Sequence, residues 1–85
     1  MSTLEVAAIQ IFDGRFELLC LDDPPTSGMR SDCISGMDRP QLEQVIAILL
    51  PDTALEDGLN RALGGAITVH LDNWLHAKRN TYRPR

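Results

Sequence analysis

The sequence predicts an α+β fold in which an N-terminal β-hairpin packs on two or three short C-terminal helices. An Asp-Gly pair at positions 13 and 14 separates two apolar segments, which is the strongest short-range signal of a hairpin. Apolar residues recur at helical spacing from Leu42 onward. The 85 residues, 44% hydrophobic and 24% charged, have a globular composition but are too few for a second core. We therefore expect a single domain spanning 1–85.

The hairpin is expected to consist of strands at about 4–12 and 15–21, joined by Asp13-Gly14 as a two-residue type I′ turn. Directly opposite residues of an antiparallel pair point to the same side of the sheet. The turn therefore fixes the register, and one face of the hairpin becomes wholly apolar. That face is expected to hold the pairs Ile11/Phe16, Ile9/Leu18 and Ala7/Cys20.

The other face of this register is polar near the turn but becomes apolar where Val6 lies opposite Leu21. This end is either covered on both sides or forms an exposed apolar patch that serves a partner. A competing interpretation makes 2–10 a helix that begins with Ser2 and Glu5 as a capping box. The β-branched residues of the segment and its shortness favour the hairpin.

A long loop is expected over 22–39, because Pro24 and Pro25 cannot donate hydrogen bonds in a sheet and exclude a helix just before them. A short helical turn at 31–34 is one option within this loop. Loops of this length usually carry function or are disordered. A loop that contacts a partner and a merely packed connection both remain open.

The first predicted helix spans about 40–50, with Pro40 at its start and Pro51 just after its end. Ile48 and Leu50 widen its apolar stripe, which indicates burial on two sides or a subunit contact. Its inner face consists of residues three or four positions apart, namely Leu42, Val45, Ile46 and Leu49.

The second predicted helix spans about 53–63, with Asp52 or Thr53 as its cap and Gly64-Gly65 as its end. Its inner face is expected to hold Leu55, Leu59, Ala62 and Leu63.

The last predicted element, at about 66–79, is ambiguous in its first part. Alternate apolar residues from Ile67 to Leu71 fit a strand, whereas Ile67, Leu71 and Trp74 fit one face of a helix. We favour a helix throughout, while a strand at 66–71 would add a third strand to the hairpin.

Charge is distributed unevenly along the chain, whose net charge is −4 at pH 7. In the C-terminal segment 78–85 every charged residue is basic, namely Lys78, Arg79, Arg83 and Arg85. One interpretation is a helix end whose cations favour the negative pole, followed by a frayed tail at 81–85. The other is a contact with nucleic acid, which an acidic body disfavours at long range.

The sequence carries no stretch of about 18 apolar residues, so we expect no membrane-spanning helix. The first basic residue is Arg15, and the N-terminus therefore lacks the basic start of a signal peptide. Cys20 and Cys33 are too few for a disulfide framework. These features favour a cytoplasmic protein.

Catalytic and metal-binding patterns are weak in this sequence. Cys20, Cys33, His70 and His76 are ligand types for zinc, but no paired-cysteine spacing occurs and the histidines would lie about 120° apart on a helix. A Cys/His nucleophile pair lacks a third orienting group or an oxyanion hole. We therefore expect no enzymatic activity, no metal and no cofactor.

The expected function is protein binding, as a small acidic adaptor or inhibitor, because of the wide apolar stripe, the acidic body and the long loop. Toxin-neutralising immunity proteins and phage-encoded inhibitors of host defence include acidic proteins of this size. The analogy concerns only the type of protein, since the sequence shares no motif with them. A homodimer through 42–50 or through Val6 and Leu21 is also expected. The candidate partner-binding residues are Asp22, Asp23, Met29, Arg30, Asp32, Met37, Ile48 and Leu50.

The alternative function is a nucleic-acid-binding regulator of winged helix-turn-helix type that uses the basic C-terminus. The predicted elements include the three helices and the hairpin of such a domain, and the C-terminal tail is basic. The hairpin comes first, however, and the last helix carries Asp72 before its cations begin at Lys78. Protein binding is therefore the favoured function.

Overall fold

The fold is an antiparallel sheet of four strands with three helices, in a computed structural model that describes residues 3–21 and 33–81. The strands are β1 (Thr3–Ile11), β2 (Arg15–Cys20), β3 (Cys33–Met37) and β4 (Ile67–His70). The helices are α1 (Arg39–Leu49), α2 (Leu55–Gly64) and α3 (Leu71–Thr81). The strand order is β3-β2-β1-β4, so the N-terminal hairpin forms the centre of the sheet. The predicted α+β fold, with a hairpin first and helices mostly after it, is confirmed.

The hairpin turn contains three residues rather than two, because Phe12 joins Asp13 and Gly14 in a single turn of 3-10 helix. Asp13 and Gly14 do adopt the positive φ values that an Asp-Gly pair favours, 65° and 66°. The extra residue shifts the register by one, so that Ile11 pairs with Arg15. The predicted hairpin is therefore right in position and wrong in register.

The shift of one residue moves every side chain of β1 to the opposite face. Val6 and Ala8 are buried, whereas Ile9 and Ile11 are exposed, the reverse of the prediction. β4 explains this choice, since Val6 pairs with Ile67 on one side and with Cys20 on the other. The sequence of the hairpin turn alone cannot predict this long-range pairing of β1 with β4.

Two strands lie where the sequence predicted none. β3 occupies part of the predicted loop 22–39 and pairs with β2, and residues 22–32 lie outside the described residues. β4 occupies the start of the predicted helix 66–79 and pairs with β1, which confirms the alternative of an additional strand. The β-branched run Ile67-Thr68-Val69 disfavours a helix and fits a strand that is buried on one face.

α1 begins at a reciprocal capping box. The Asp38 carboxylate accepts a hydrogen bond from the Gln41 main-chain N–H at 3.0 Å, and the Gln41 side chain accepts from the Asp38 N–H at 3.0 Å. The helix ends with Leu50 as its C-cap, just before Pro51. Its predicted inner face is confirmed, since the buried residues are Leu42, Val45, Ile46 and Leu49.

α2 begins at Leu55, two residues later than predicted, and Ala54 at its N-cap makes no side-chain hydrogen bond. Neither Asp52 nor Thr53 therefore caps the helix. Leu59 and Ala62 are buried as expected, but Leu55 and Leu63 are 39% and 37% exposed. The buried face of α2 is therefore narrower than the sequence pattern indicated. Gly64-Gly65 ends the helix as predicted.

The three helices cover one face of the sheet. α1 packs on β2 and β3, α2 packs on β1 and β4, and α3 packs on α1 and β4. The core between the two layers includes the fully buried Trp74 of α3 and Leu18 of β2. No described helix is both long and apolar enough to cross a membrane.

Gly58 allows α1 and α2 to approach closely. A Cβ atom at this position would lie 2.9 Å from Cγ2 of Ile46 and 3.3 Å from Cδ1 of Leu50. Ile46 is buried and β-branched, so its methyl group has little freedom to move away. Alanine gains about 1 kcal/mol in helix propensity, but overpacking costs about 1–3 kcal/mol. We expect Gly58→Ala to lower the free energy of unfolding by about 1 kcal/mol in urea titrations.

Gly64→Ala is the matched control, because nothing lies within 4 Å of a Cβ atom at that position of the same helix. We expect its stability to be unchanged or slightly raised. Equal effects of the two substitutions would contradict the close contact at Gly58.

Candidate protein-binding surface

The face of the sheet that points away from the helices carries a contiguous set of aliphatic side chains. Residues directly opposite each other point to the same side, and Ala7 pairs with Leu19 across the hairpin. Leu21 continues this face, since its main-chain N–H donates to the Glu5 carbonyl at 2.7 Å. We call the following residues the outer patch: Ala7, Ile9, Ile11, Leu19 and Leu21.

The outer patch is open to solvent along most of its length. Ile9, Ile11 and Leu21 are 41%, 38% and 50% exposed, and Ala7 and Leu19 are half-buried. On the opposite face of the same strands, Val6 and Leu18 have no exposed surface. In an antiparallel sheet that is covered on one face only, apolar and polar residues normally alternate along each strand. This sheet instead has aliphatic residues on both faces of its central hairpin.

Phe12 lies at the tip of the hairpin beside the outer patch and is 90% exposed. Phe12 is the first residue of the turn Phe12–Gly14, in which Asp13 and Gly14 have positive φ. Gln10, Ile11 and Phe12 line an open depression on the surface. Aromatic side chains that project from a surface are typical anchors of protein interfaces.

Charged residues border the outer patch on β1 and β2. Glu5 and Glu17 are neighbours of Leu21 and Ile9 across the hairpin. Arg15 lies opposite Ile11, and its guanidinium donates to the Gly36 carbonyl at 3.2 Å. This hydrogen bond holds the Arg15 side chain toward β3. Along the outer patch, Glu5 therefore lies near one end, Glu17 lies opposite Ile9, and Arg15 lies at the end next to the hairpin turn.

Several residues that the sequence predicted for partner binding do not form this surface. Met37 is fully buried in the core, where no partner can contact it. Ile48 and Leu50 are half-buried and pack against the core. The remaining five predicted residues lie outside the described residues: Asp22, Asp23, Met29, Arg30 and Asp32.

The two predicted dimer surfaces are also changed. Most apolar residues of 42–50 face the core, which leaves half-buried Ile48 and Leu50 on that helix. Val6 and Leu21 do not share a patch, since Val6 is fully buried and Leu21 belongs to the opposite face. The cause in both cases is the packing of the helices on the sheet, which buries the inner face of α1 and the even-numbered side of β1.

The basic C-terminal residues are divided between described and undescribed parts of the chain. Lys78 is half-buried and Arg79 is exposed in the last turns of α3. Arg83 and Arg85 lie outside the described residues, as does most of the predicted frayed tail at 81–85.

The cysteines and histidines are scattered. Cys20 packs against the core, whereas Cys33 pairs with Leu19 and therefore lies on the outer side of the sheet. His76 lies on α3, where its main-chain carbonyl accepts a hydrogen bond from the Asn80 side-chain amide at 2.9 Å. Within residues 3–21 and 33–81, no three His, Cys, Asp or Glu side chains are grouped so as to hold a metal ion.

The β1 part of the outer patch was missed because the predicted register placed Ile9 and Ile11 in the core, whereas it placed Leu21 at the apolar end that could serve a partner. A signal for it was nevertheless present in the sequence. Both faces of the hairpin become apolar away from the turn, which one layer of helices cannot cover.

Comparison of the chain with protein-family models, with curated protein sequences and with solved structures gave no match.

Proposed function

We propose that this protein binds another protein through the outer patch and acts in the cytoplasm as a small adaptor or inhibitor. The observation that carries the proposal is the exposed aliphatic face of the sheet, with Ile9, Ile11 and Leu21 each more than one third exposed. Monomeric proteins rarely leave contiguous apolar patches larger than a few hundred Å² uncovered. A protein partner that covers this patch removes the cost of its exposure to water.

The shape and border of the surface indicate the chemistry of the partner. The centre is aliphatic, which matches the charge-depleted core of a protein interface. Glu5 and Glu17 border the apolar residues. A partner surface with an apolar centre and basic residues at its rim is complementary to this arrangement. The net charge of −4 also favours a basic partner at long range.

The winged helix-turn-helix alternative is not favoured by the arrangement of the helices. β4 separates α2 from α3, so these helices are not joined by the short turn of that motif. α3 uses Trp74 and Ala77 in the core, and its basic residues lie in the last turn. Only the C-terminal end of α3 therefore offers basic side chains that could contact a phosphate backbone.

The proposal predicts the effect of substitutions in the outer patch. The double variant Leu19→Ser/Leu21→Ser removes two aliphatic side chains from β2 and the residue after it while leaving the core residue Leu18 in place. We expect partner capture from a lysate of the source organism to fall at least about tenfold, because the centre of an interface carries most of its binding energy. Quantitative mass spectrometry of proteins retained by the immobilised chain measures this loss.

The matched control is Leu55→Ser/Leu75→Ser, which removes two leucines of the helical layer that are 39% and 41% exposed. Capture by this variant is expected to equal that of the unsubstituted chain. A photo-reactive residue at position 21 should in addition cross-link the same partner. If both double variants retain identical sets of proteins, or if the cross-link is absent, binding through the outer patch is contradicted.

A further inference from the structure

The outer face of the hairpin consists of cross-strand pairs arranged in rows. From the far end toward the turn, the rows are Glu5/Leu21, Ala7/Leu19, Ile9/Glu17 and Ile11/Arg15. Successive rows on one face lie about 7 Å apart, so this face is about 20 Å long and, with two strands, about 10 Å wide. An α-helix with its side chains is about 10–12 Å in diameter and covers 20 Å with about 14 residues. The outer face of the hairpin therefore has the dimensions of one helix.

The hairpin has aliphatic side chains on both faces. On the inner face Val6, Ala8 and Leu18 are buried, and α2 and α1 pack on these two strands. The outer patch repeats aliphatic side chains on the opposite face. Strands covered on both faces read as nearly continuous apolar runs, whereas strands with one solvated face alternate. The composition of the hairpin is therefore that of a sheet with a helix on each side.

Glu17 lies among the aliphatic residues of the outer patch. It pairs with Ile9 across the hairpin and is two positions from Leu19 on the same face of β2. Its side chain is half-buried. Among residues 3–21 and 33–81, the salt bridges lie within α1 and within α2. The Glu17 carboxylate therefore has no ion-pair partner in the part of the chain that the structure describes.

Arg15 does not neutralise Glu17, although the two residues lie on the same face of β2. Its guanidinium donates to the Gly36 carbonyl at 3.2 Å, which holds it toward β3. Any surface that covers Ile9 and Leu19 also removes water from the Glu17 carboxylate. Burial of a charge is unfavourable unless an opposite charge pairs with it. The occupant of the outer patch therefore has to bring a cation to Glu17.

We propose that the partner covers the outer patch with a cationic amphipathic helix, which lies along the hairpin and pairs an arginine or lysine with Glu17. This inference rests on the proposed function and specifies the chemistry of the partner at the same surface. The apolar stripe of the helix packs on Ile9, Leu19 and Leu21, as in recognition of helices by apolar surfaces. The helix then forms a third layer on the sheet.

Glu5 gives the helix a second position at which a cation is favoured. Glu5 is exposed and lies two rows from Glu17. Two rows correspond to about 14 Å along the strands, which is between two and three turns of a helix. Cations with this separation at the edge of the apolar stripe are complementary to both carboxylates. The net charge of −4 attracts the same helix at long range.

Two synthetic helical peptides of about 14 residues test this chemistry without an identified partner. Both have leucines at helical spacing on one face, and they differ only in carrying arginines or glutamates along the edges of that stripe. We expect the arginine peptide to bind at least about tenfold tighter, because charge complementarity distinguishes the two. Chemical-shift changes in the nitrogen-labelled chain measure both affinities and should be largest at Ile9, Leu19 and Leu21.

Charge reversal at position 17 tests the ion pair itself. Glu17→Arg should reverse the preference, so that the glutamate peptide binds tighter. Glu17→Gln keeps the size of the side chain and should bring the two affinities to within about threefold of each other. The matched control is Glu56→Arg, which changes the net charge equally at an exposed position of α2. It should leave the preference for the arginine peptide in place.

The same variants apply to the natural partner. Glu17→Arg should lower capture of the protein that cross-links at position 21 at least about tenfold, while Glu56→Arg should not. Mass spectrometry of the cross-linked product should locate the attachment in a helical segment of the partner that carries arginine or lysine beside its apolar residues.

Three results would overturn the inference. The first is equal binding of the two peptides, or no binding of either at about 1 mM. The second is an unchanged preference for the arginine peptide in both Glu17 variants. The third is a dimer of the free chain that Leu19→Ser/Leu21→Ser abolishes, since a second copy then covers the outer patch.

The failure of this inference differs from the failure of the proposed function. Capture that Leu19→Ser/Leu21→Ser abolishes and Glu17→Arg leaves intact would refute the cationic helix alone. Capture that survives both changes would refute binding through the outer patch, and the cationic helix with it.

Discussion

Replacing Trp74 with alanine is expected to lower the free energy of unfolding by about 4 kcal/mol, which leaves little or no folded protein in a domain of this size. Trp74 is fully buried in the core, on the helix α3 that packs against α1 and β4. Its removal leaves a cavity that the surrounding strands and helices cannot close without losing their own contacts. Urea denaturation followed by circular dichroism measures the loss.

Trp74→Phe is the informative control for this prediction. Among the described side chains, the Nε1 atom of Trp74 is buried without a hydrogen-bond partner. Burial of such a donor costs about 1–3 kcal/mol of desolvation free energy that no hydrogen bond offsets. Phenylalanine removes the donor while keeping most of the volume, so we expect a loss of only about 1 kcal/mol. A loss well above about 1 kcal/mol for Trp74→Phe would contradict this and indicate that the indole N–H is hydrogen-bonded in the folded protein.

Val6→Asp is expected to abolish folding, whereas Ile9→Asp should cost at most about 1 kcal/mol. Val6 is fully buried at the point where β1 pairs with both β2 and β4, and a carboxylate there would have no partner. Ile9 lies three positions further along the same strand and is 41% exposed. The dispersion of amide resonances in a proton–nitrogen spectrum distinguishes a folded from an unfolded chain.

This pair of substitutions separates the two registers of the hairpin. A two-residue turn would place Ile9 in the core and Val6 on the opposite face, so the severity of the two substitutions would be reversed. An unfolded Ile9→Asp variant beside a folded Val6→Asp variant would contradict the register described here.

The local features of this fold were predictable from the sequence. The Asp13-Gly14 pair identified the hairpin, and Pro40, Pro51 and the spacing from Leu42 to Leu49 identified α1. Each of these signals lies within a few residues of the structure that it specifies.

The register and the edges of the sheet were not predictable in the same way. They depend on β4, which pairs with β1 across about sixty positions of sequence. Ile67 to His70 is too short for its alternation to decide between strand and helix. Because this pairing selects the buried face of β1, the sequence pattern alone could not identify Ile9, Ile11 and Leu21 as surface residues.

The central structural claim is that the helices cover only one face of the sheet and leave the outer patch open. Methyl resonances measured with a soluble gadolinium complex test this directly, since relaxation enhancement reports the distance of each methyl group from solvent. We predict strong enhancement for Ile9, Ile11 and Leu21 and weak enhancement for Leu18 and Leu42. Weak enhancement of Ile9, Ile11 and Leu21 in the free monomer would contradict the account.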